Sequence, residues 1–184
     1  MQMNKREAMS LVKDYFKKAN IGYRPLNEDG CLKDMEDIDT LYFATEEDET
    51  VIGKVVETSI RFKDEHMYCQ TYYCQPIEAE DGHGDERAAR IVNYINGNVT
   101  YQMDTLYDRT IVYDEDYKDV YSGTLIRYEM LEKYFTDTMW YILNFCPHMM
   151  GDLCYSIVGY ICGTLDFDKA KESIGVMQEI RGSR

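Results

Sequence analysis

The stretch that decides the fold is Val51-Ile52-Gly53-Lys54-Val55-Val56-Glu57-Thr58-Ser59-Ile60-Arg61-Phe62, then Lys63-Asp64-Glu65-His66, then Met67-Tyr68-Cys69-Gln70-Thr71-Tyr72-Tyr73-Cys74. In the first run Ile52, Val56, Ile60 and Phe62 share a side with Lys54 and Thr58, while Glu57, Ser59 and Arg61 share the other, because successive strand side chains alternate between faces. This period of two predicts a half-buried antiparallel strand with a second strand beside it. The short charged link Lys63-Asp64-Glu65 suits a hairpin connection at the surface. Upstream, Leu41-Tyr42-Phe43-Ala44 has the same character and leads through Glu46-Glu47-Asp48-Glu49 into the pair, giving three strands.

Working outward, the period changes. Ala8, Leu11, Val12, Tyr15, Phe16 and Ala19 follow helical spacing, with Lys13, Asp14, Lys17 and Lys18 opposite, and Gly22 and Pro25 end that helix. After the polar stretch Glu78-Ala79-Glu80-Asp81-Gly82-His83-Gly84, read as a mobile linker, Asp85 is placed to cap a helix carrying Ala88, Ile91, Val92 and Ile95. Val99, Tyr101 and Met103, and then Thr110 to Asp114, alternate around Tyr107-Asp108-Arg109 and read as a second hairpin. From Thr124 the spacing is helical: Leu131, Tyr134, Phe135, Thr138, Ile142 and Phe145, a break at Cys146-Pro147, then Met150, Leu153, Cys154, Ile157, Val158 and Ile161 up to Gly163. Asp166 starts a last helix through Ala170, Ile174 and Met177. The order is helix, three strands, helix, two strands, C-terminal helices. It predicts a single α+β domain over 1–184 with an antiparallel sheet and with 125–184 as its helical part.

Composition narrows the function. With 34 acids against 20 bases the formal charge is -14, which repels polyanions, so nucleic acid is not an expected partner. The most apolar region, 139–165, carries Asn144, Pro147, His148 and Asp152 near its middle, which argues against a membrane span. The charged N-terminal segment has no secretory pattern, and Cys31, Cys69, Cys74, Cys146, Cys154 and Cys162 lack the dense spacing of a disulfide framework. They read as reduced thiols in a cytoplasm.

Three places resemble a known family. They are the first helix ending in Asn20-Ile21-Gly22-Tyr23; Ile91-Val92-Asn93-Tyr94-Ile95-Asn96 running into Val99-Thr100-Tyr101-Gln102-Met103-Asp104; and Phe145-Cys146-Pro147-His148-Met149, followed by Gly159 to Gly163 and the helix with Ala170. With the element order across most of 5–175, they resemble the YbjN family, described as bacterial sensory transduction regulators with a fold like that of type III secretion chaperones. The resemblance implies a regulatory, chaperone-like domain that presents a sheet or groove to another polypeptide and self-associates as a homodimer. It transfers no catalytic residues.

The residues themselves support no stronger chemistry. Cys69 and Cys74, with His66 and His83, offer zinc-type ligands for an alternative small enzyme or zinc-dependent domain, but paired short cysteine spacing is absent, and one thiol inward with one at the surface is the simpler expectation. Cys146-Pro147-His148 places a thiol near an imidazole in sequence only, and a nucleophile needs both in space. Asp37-Ile38-Asp39 and Asp114-Glu115-Asp116 read as solvated turns and Asp166-Phe167-Asp168 as a helix start. No catalytic, cofactor-binding or metal residues are assigned, and no cofactor is expected. The 17 tyrosines, with Tyr68, Tyr72 and Tyr73 on one strand and Tyr101, Tyr107, Tyr113, Tyr117 and Tyr121 around the second hairpin, suit either a protein interface or a half-buried sheet. Met149 and Met150 admit the same two uses. Much of the net charge lies in connections and reads as loop solvation.

Overall fold

In the computed structural model, described over residues 3–26, 39–46 and 55–182, the two-residue period becomes a hairpin. Strands β3 (Val55–Phe62) and β4 (His66–Tyr73) pair with Ile60 opposite Cys69 and Phe62 opposite Met67, and the Lys63 N–H donates to the His66 carbonyl at 2.8 Å to close the turn. Val56, Thr58, Ile60 and Phe62 are all buried, as their shared side predicts. Ile52, Lys54, Glu47 to Glu49, Cys31 and Asp37 lie outside the described residues.

The sheet has six antiparallel strands in the order β1-β2-β3-β4-β6-β5, completed by β1 (Arg24–Leu26), β2 (Thr40–Glu46), β5 (Arg109–Asp114) and β6 (Asp119–Arg127). Strand β1 corrects the expectation of three early strands. The first helix ends at Lys18, with Asn20 at φ +55° just past it, before either Gly22 or Pro25; an edge strand tolerates a residue without an N–H, so the proline sits opposite Leu41 at the margin of the sheet. Asp39, expected in a solvated turn, is 4 % exposed; its carboxylate accepts from the Thr40 hydroxyl at 2.8 Å and its carbonyl from the Phe62 N–H at 2.7 Å.

The second hairpin is also corrected. Val99 to Met103 is not a strand: the Tyr101 N–H donates to the Asp104 carboxylate at 2.9 Å, and 102–105 wind into a 3-10 turn. The hairpin lies one step later, β5 with β6, turning at Lys118 with φ +53°. Thr124 to Arg127 therefore continue β6, and the helical part begins at Tyr128 rather than at 125. In the turn, the Asp114 carboxylate accepts from the backbone of Asp116 and Tyr117, the solvated turn expected of that pair.

Among the described residues every helix packs on one face of the sheet. Helices α2 (Gly84–Asn98), α5 (Cys146–Ile161) and α6 (Phe167–Gly182) cover Val56, Tyr73, Ile111 and Val120. Helices α1 (Lys5–Lys18), α3 (Tyr128–Lys133) and α4 (Phe135–Trp140) cover Leu41, Phe43, Ile60, Phe62, Met67, Cys69 and Ile126. Asn4 and Glu7 form a reciprocal capping box on α1, whose Val12 and Phe16 are fully buried, worth about 1.5–3 kcal/mol each. Asp166 starts α6 as expected, accepting from the Lys169 N–H at 2.9 Å, and Gly163 closes α5 with φ +77°.

Pro147 does not break the C-terminal helix. Residues 135–161 run on without interruption because Tyr141–Phe145 form one π turn, in which the Cys146 N–H donates to the Tyr141 carbonyl. The widened turn admits a proline ring that a regular α-helix would not. Asp85 does not cap α2 either. It lies inside the first turn and accepts from Lys118 Nζ at 2.7 and 2.8 Å and from the Tyr113 hydroxyl, tying α2 to the β5–β6 turn. The polar stretch before α2 is pinned rather than free: Arg87 grips Asp81 with two bonds of 2.7 Å and donates from Nε to the Ile161 carbonyl at 2.8 Å.

At the centre of the helical layer, Tyr107 stacks on Tyr141 at 4.2 Å and Tyr141 on Phe145 at 5.3 Å, beside Arg109, whose side chain is 3 % exposed. Arg109 donates to Asp104 at 3.1 Å from Nε and from Nη2, and to the Val99 carbonyl at 3.3 Å. Removing one member of such a pair strands a buried charge, which is costlier than removing both. Asp104→Ala is therefore expected to lower stability by about 3 kcal/mol or more. Adding Arg109→Met should recover part of that loss, both read from urea midpoints; a double variant weaker than Asp104→Ala alone contradicts the assignment.

Candidate functional site

With the helices on one side, the other side of the sheet is left as the broadest patterned surface of the described chain. Cross-strand register arranges it in rows. One row is Ala44, Glu57, Tyr72, Tyr121 and Val112; the next is Arg24, Tyr42, Ser59, Gln70, Gly123 and Thr110; the third is Thr40, Arg61, Tyr68 and Leu125. Beyond the first row Asp119 pairs with Asp114, and beyond the third His66 pairs with Arg127.

The tyrosines lie along the sheet and tie to one another. Tyr68 and Tyr121 hydrogen-bond through their hydroxyls, as do Tyr42 and Tyr72, whose rings are 6.4 Å apart. The Tyr42 hydroxyl also donates to the Glu57 carboxylate, as does the Cys74 thiol. Burial, then this acidic neighbour, raises the Tyr42 hydroxyl, and the same pair of causes pushes the Cys74 thiol up to about 11. Gly123 has a reason to be glycine: a Cβ there would stand 2.3 Å from the Tyr68 hydroxyl, so only a bare backbone lets that ring lie flat. Leu125, 47 % exposed, is a large aliphatic group of this face, and an open cleft of ≈ 380 Å³ runs along its β1 margin between Tyr23, Arg24, Tyr42 and Glu57.

The face is charged at its two ends. Burial pushes the Asp119 carboxyl up to about 7, the Val120 N–H opposes the rise, and the Asp114 and Glu57 carboxylates reinforce it. Its Oδ1 is buried without a hydrogen-bond partner among the described residues. Arg61 Nε at the other end is in the same condition.

The structure separates the residues singled out in the sequence. Tyr68, Tyr72 and Tyr121 reach the open face, joined by Tyr42, which the reading of tyrosine clusters missed although its alternation with Leu41 and Phe43 placed it there. Tyr73, Tyr101 and Tyr107 turn inward; Tyr73 donates to the Met150 carbonyl at 2.8 Å. Tyr117 stands 75 % exposed on the β5–β6 turn. Met149 and Met150 are core residues. Cys69 is buried in the core, with its thiol raised by burial, while Cys74 is exposed just past β4. His66 opens β4 and Cys74 follows its end, which sets them roughly 27 Å apart at strand rise. His83 stands at the head of α2, and no group of three or more His, Cys, Asp or Glu among the described residues is placed to hold a metal. Cys146 is buried with its thiol pushed up to about 12, whereas His148 is exposed, so the two do not form a nucleophile and its base. No helix of the described residues is long and apolar enough to cross a membrane.

No family model, curated protein or solved structure matches the chain.

The Asp119 carboxyl makes stability pH-dependent with an unusual sign. Its folded-state value lies above the ordinary ~3.9, so between about pH 4 and 7 the folded chain keeps a proton that the unfolded chain releases, and stability falls as pH rises through that window. Asp119→Asn removes the penalty. The variant should exceed the parent at pH 8 by on the order of 1 kcal/mol, discounted because water still reaches part of the carboxyl, and the gap should narrow toward pH 5. Urea melts at both pH values check it; a gap that widens toward pH 5 contradicts it.

Proposed function

We propose that the chain is a non-enzymatic regulatory module that binds a polypeptide on the open face of its sheet. One observation carries the reading: among the described residues all the helices crowd onto one side, while the other side presents paired tyrosines, a glycine-flattened centre and an exposed leucine. Tyrosine rings offer a large, stiff, amphipathic contact area, and their hydroxyls keep the free surface wet until a partner arrives. The resemblance to the YbjN family and its chaperone-like fold belongs to this proposal and points the same way. The proposed setting is a reducing cytoplasm, where buried thiols such as Cys69 and Cys146 stay inert.

The test compares three baits in the native extract: the parent chain, Leu125→Arg on the open face, and Tyr155→Arg on the helical side, where Tyr155 is 50 % exposed. Specific polypeptides, the chain itself included, should be retained by the parent and by Tyr155→Arg at equal yield and fall at least about tenfold with Leu125→Arg. Retention unaffected by Leu125→Arg, with all three baits folded by circular dichroism, overturns the reading.

A further inference from the structure

The charges of the open face are sorted along the strands. Glu57, Asp114 and Asp119 lie toward one end and Arg61 and Arg127 toward the other; the uncharged Ser59, Gln70 and Gly123 sit between them, and Arg24, on the edge strand β1, is the one charge of that middle row. Within one chain the two ends do not meet: four residues of strand separate Glu57 from Arg61, about 13 Å. Arg61 and Arg127 make no ion pair among the described residues.

We propose that the polypeptide this face binds is a second copy of the chain, packed sheet to sheet about a two-fold axis that crosses the strands over Ser59, Gln70 and Gly123. The inference rests on the binding reading above and names its partner. Such an axis reverses strand direction and keeps strand order, so each row meets the row equally far beyond the centre. Glu57 then faces Arg61 of the second copy on the same strand, and Asp119 faces Arg127. Tyr72 meets Tyr68, and Tyr121 meets Leu125. Each of these contacts occurs twice, as an isologous interface requires, and Arg24 meets its own copy at the margin. An axis along the strands would instead stack acidic rows on acidic rows, a juxtaposition that disfavours association. Aligned sheets stack about 10 Å apart with strands rotated by roughly 30°, a gap that arginine, glutamate and tyrosine side chains from two faces fill.

The size is adequate. Six strands at ~4.8 Å spacing and up to nine residues at ~3.4 Å rise give a footprint on the order of 700 Å², close to the ~800 Å² per partner of a stable pair.

The experiment is sedimentation velocity at physiological salt on five samples: the parent chain, Glu57→Arg, Arg61→Glu, the double variant, and an equimolar mixture of the two single variants. The parent is expected to be a dimer, and each single variant to dissociate at least about a hundredfold more readily, because it sets like charges face to face twice. The double variant restores both pairs within one sequence. The mixture restores them between two sequences, an effect that no contact within a chain produces. Circular dichroism of each sample shows whether it is folded. A monomeric parent overturns the inference, as does a dimer indifferent to both single variants or a mixture that stays monomeric. A monomeric parent whose polypeptide retention still falls with Leu125→Arg overturns the second copy while leaving the binding reading in place, and loss of both results overturns both.

Discussion

The structure depends on a one-sided sheet. Strands β3 and β4 bury alternate residues only, so the apolar half of each strand has to meet helices and the polar half cannot. Among the described residues all six α-helices therefore compete for one face, and they divide it into two cores. One lies under α2, α5 and α6 and the other under α1, α3 and α4. Phe145 packs against both, and it belongs to the π turn in the rod 135–161 that bridges them. Six of the hydroxyls that fall inside are paired, Thr58 with Thr71 at 3.1 Å, Tyr107 with Thr138 at 2.9 Å and Thr124 with Tyr141 at 3.1 Å, whereas Ser122 and Ser156 Oγ have no hydrogen-bond partner among the described residues. Such pairing is what allows threonine and tyrosine to stand in a core.

The same constraint produces the open face and protects its margin. Strand β5 would expose its outer backbone groups, but Asn96 on α2 donates to the Ile111 carbonyl at 2.7 Å and accepts the Ile111 N–H at 2.9 Å, acting as a single residue of a further strand. An edge satisfied in this way at Ile111 resists pairing by strand addition there, which is consistent with the flat of the sheet as the surface proposed for a partner. There, tyrosines bonded to one another and to Glu57 hold their rings down. The proposed association would meet side chains already ordered and forfeit less conformational freedom.

Legibility followed the range of the interactions. The β3–β4 hairpin, α1, the inner stripes of α5 and the caps at Gly163 and Asp166 were readable because each depends on neighbours a few residues away. The misreadings share a cause. Val99, Tyr101 and Met103 alternate like a strand, yet Asp104 takes the Tyr101 N–H and Arg109 holds Asp104, so a contact with a later residue decides the backbone. Thr124 to Arg127 looked helical because the stripe beyond them is helical, yet β4 captured them through the register of Tyr68 with Leu125. Pro147 looked like a stop, yet the π turn Tyr141–Phe145 just before it absorbed it. Asp85 looked like a cap, yet Lys118 and Tyr113 claimed its carboxylate.

For the candidate site the division is sharper. Period-two patterning by itself determined that Glu57, Ser59 and Arg61 turn away from the core, because alternation is a property of the extended backbone wherever it occurs. The sequence likewise determined an α+β chain with an antiparallel sheet and a strong negative charge. Only the tertiary structure decided which strands are neighbours. Bringing β6 between β4 and β5 set Tyr121 beside Tyr72, Gly123 beneath Tyr68 and Asp119 near Glu57, pairings of residues 49 to 62 apart in sequence that no local spacing encodes. That placement turned scattered tyrosines into one surface and pushed the carboxyl of an ordinary aspartate up to about 7, because burial and like charge act through space and not along the chain.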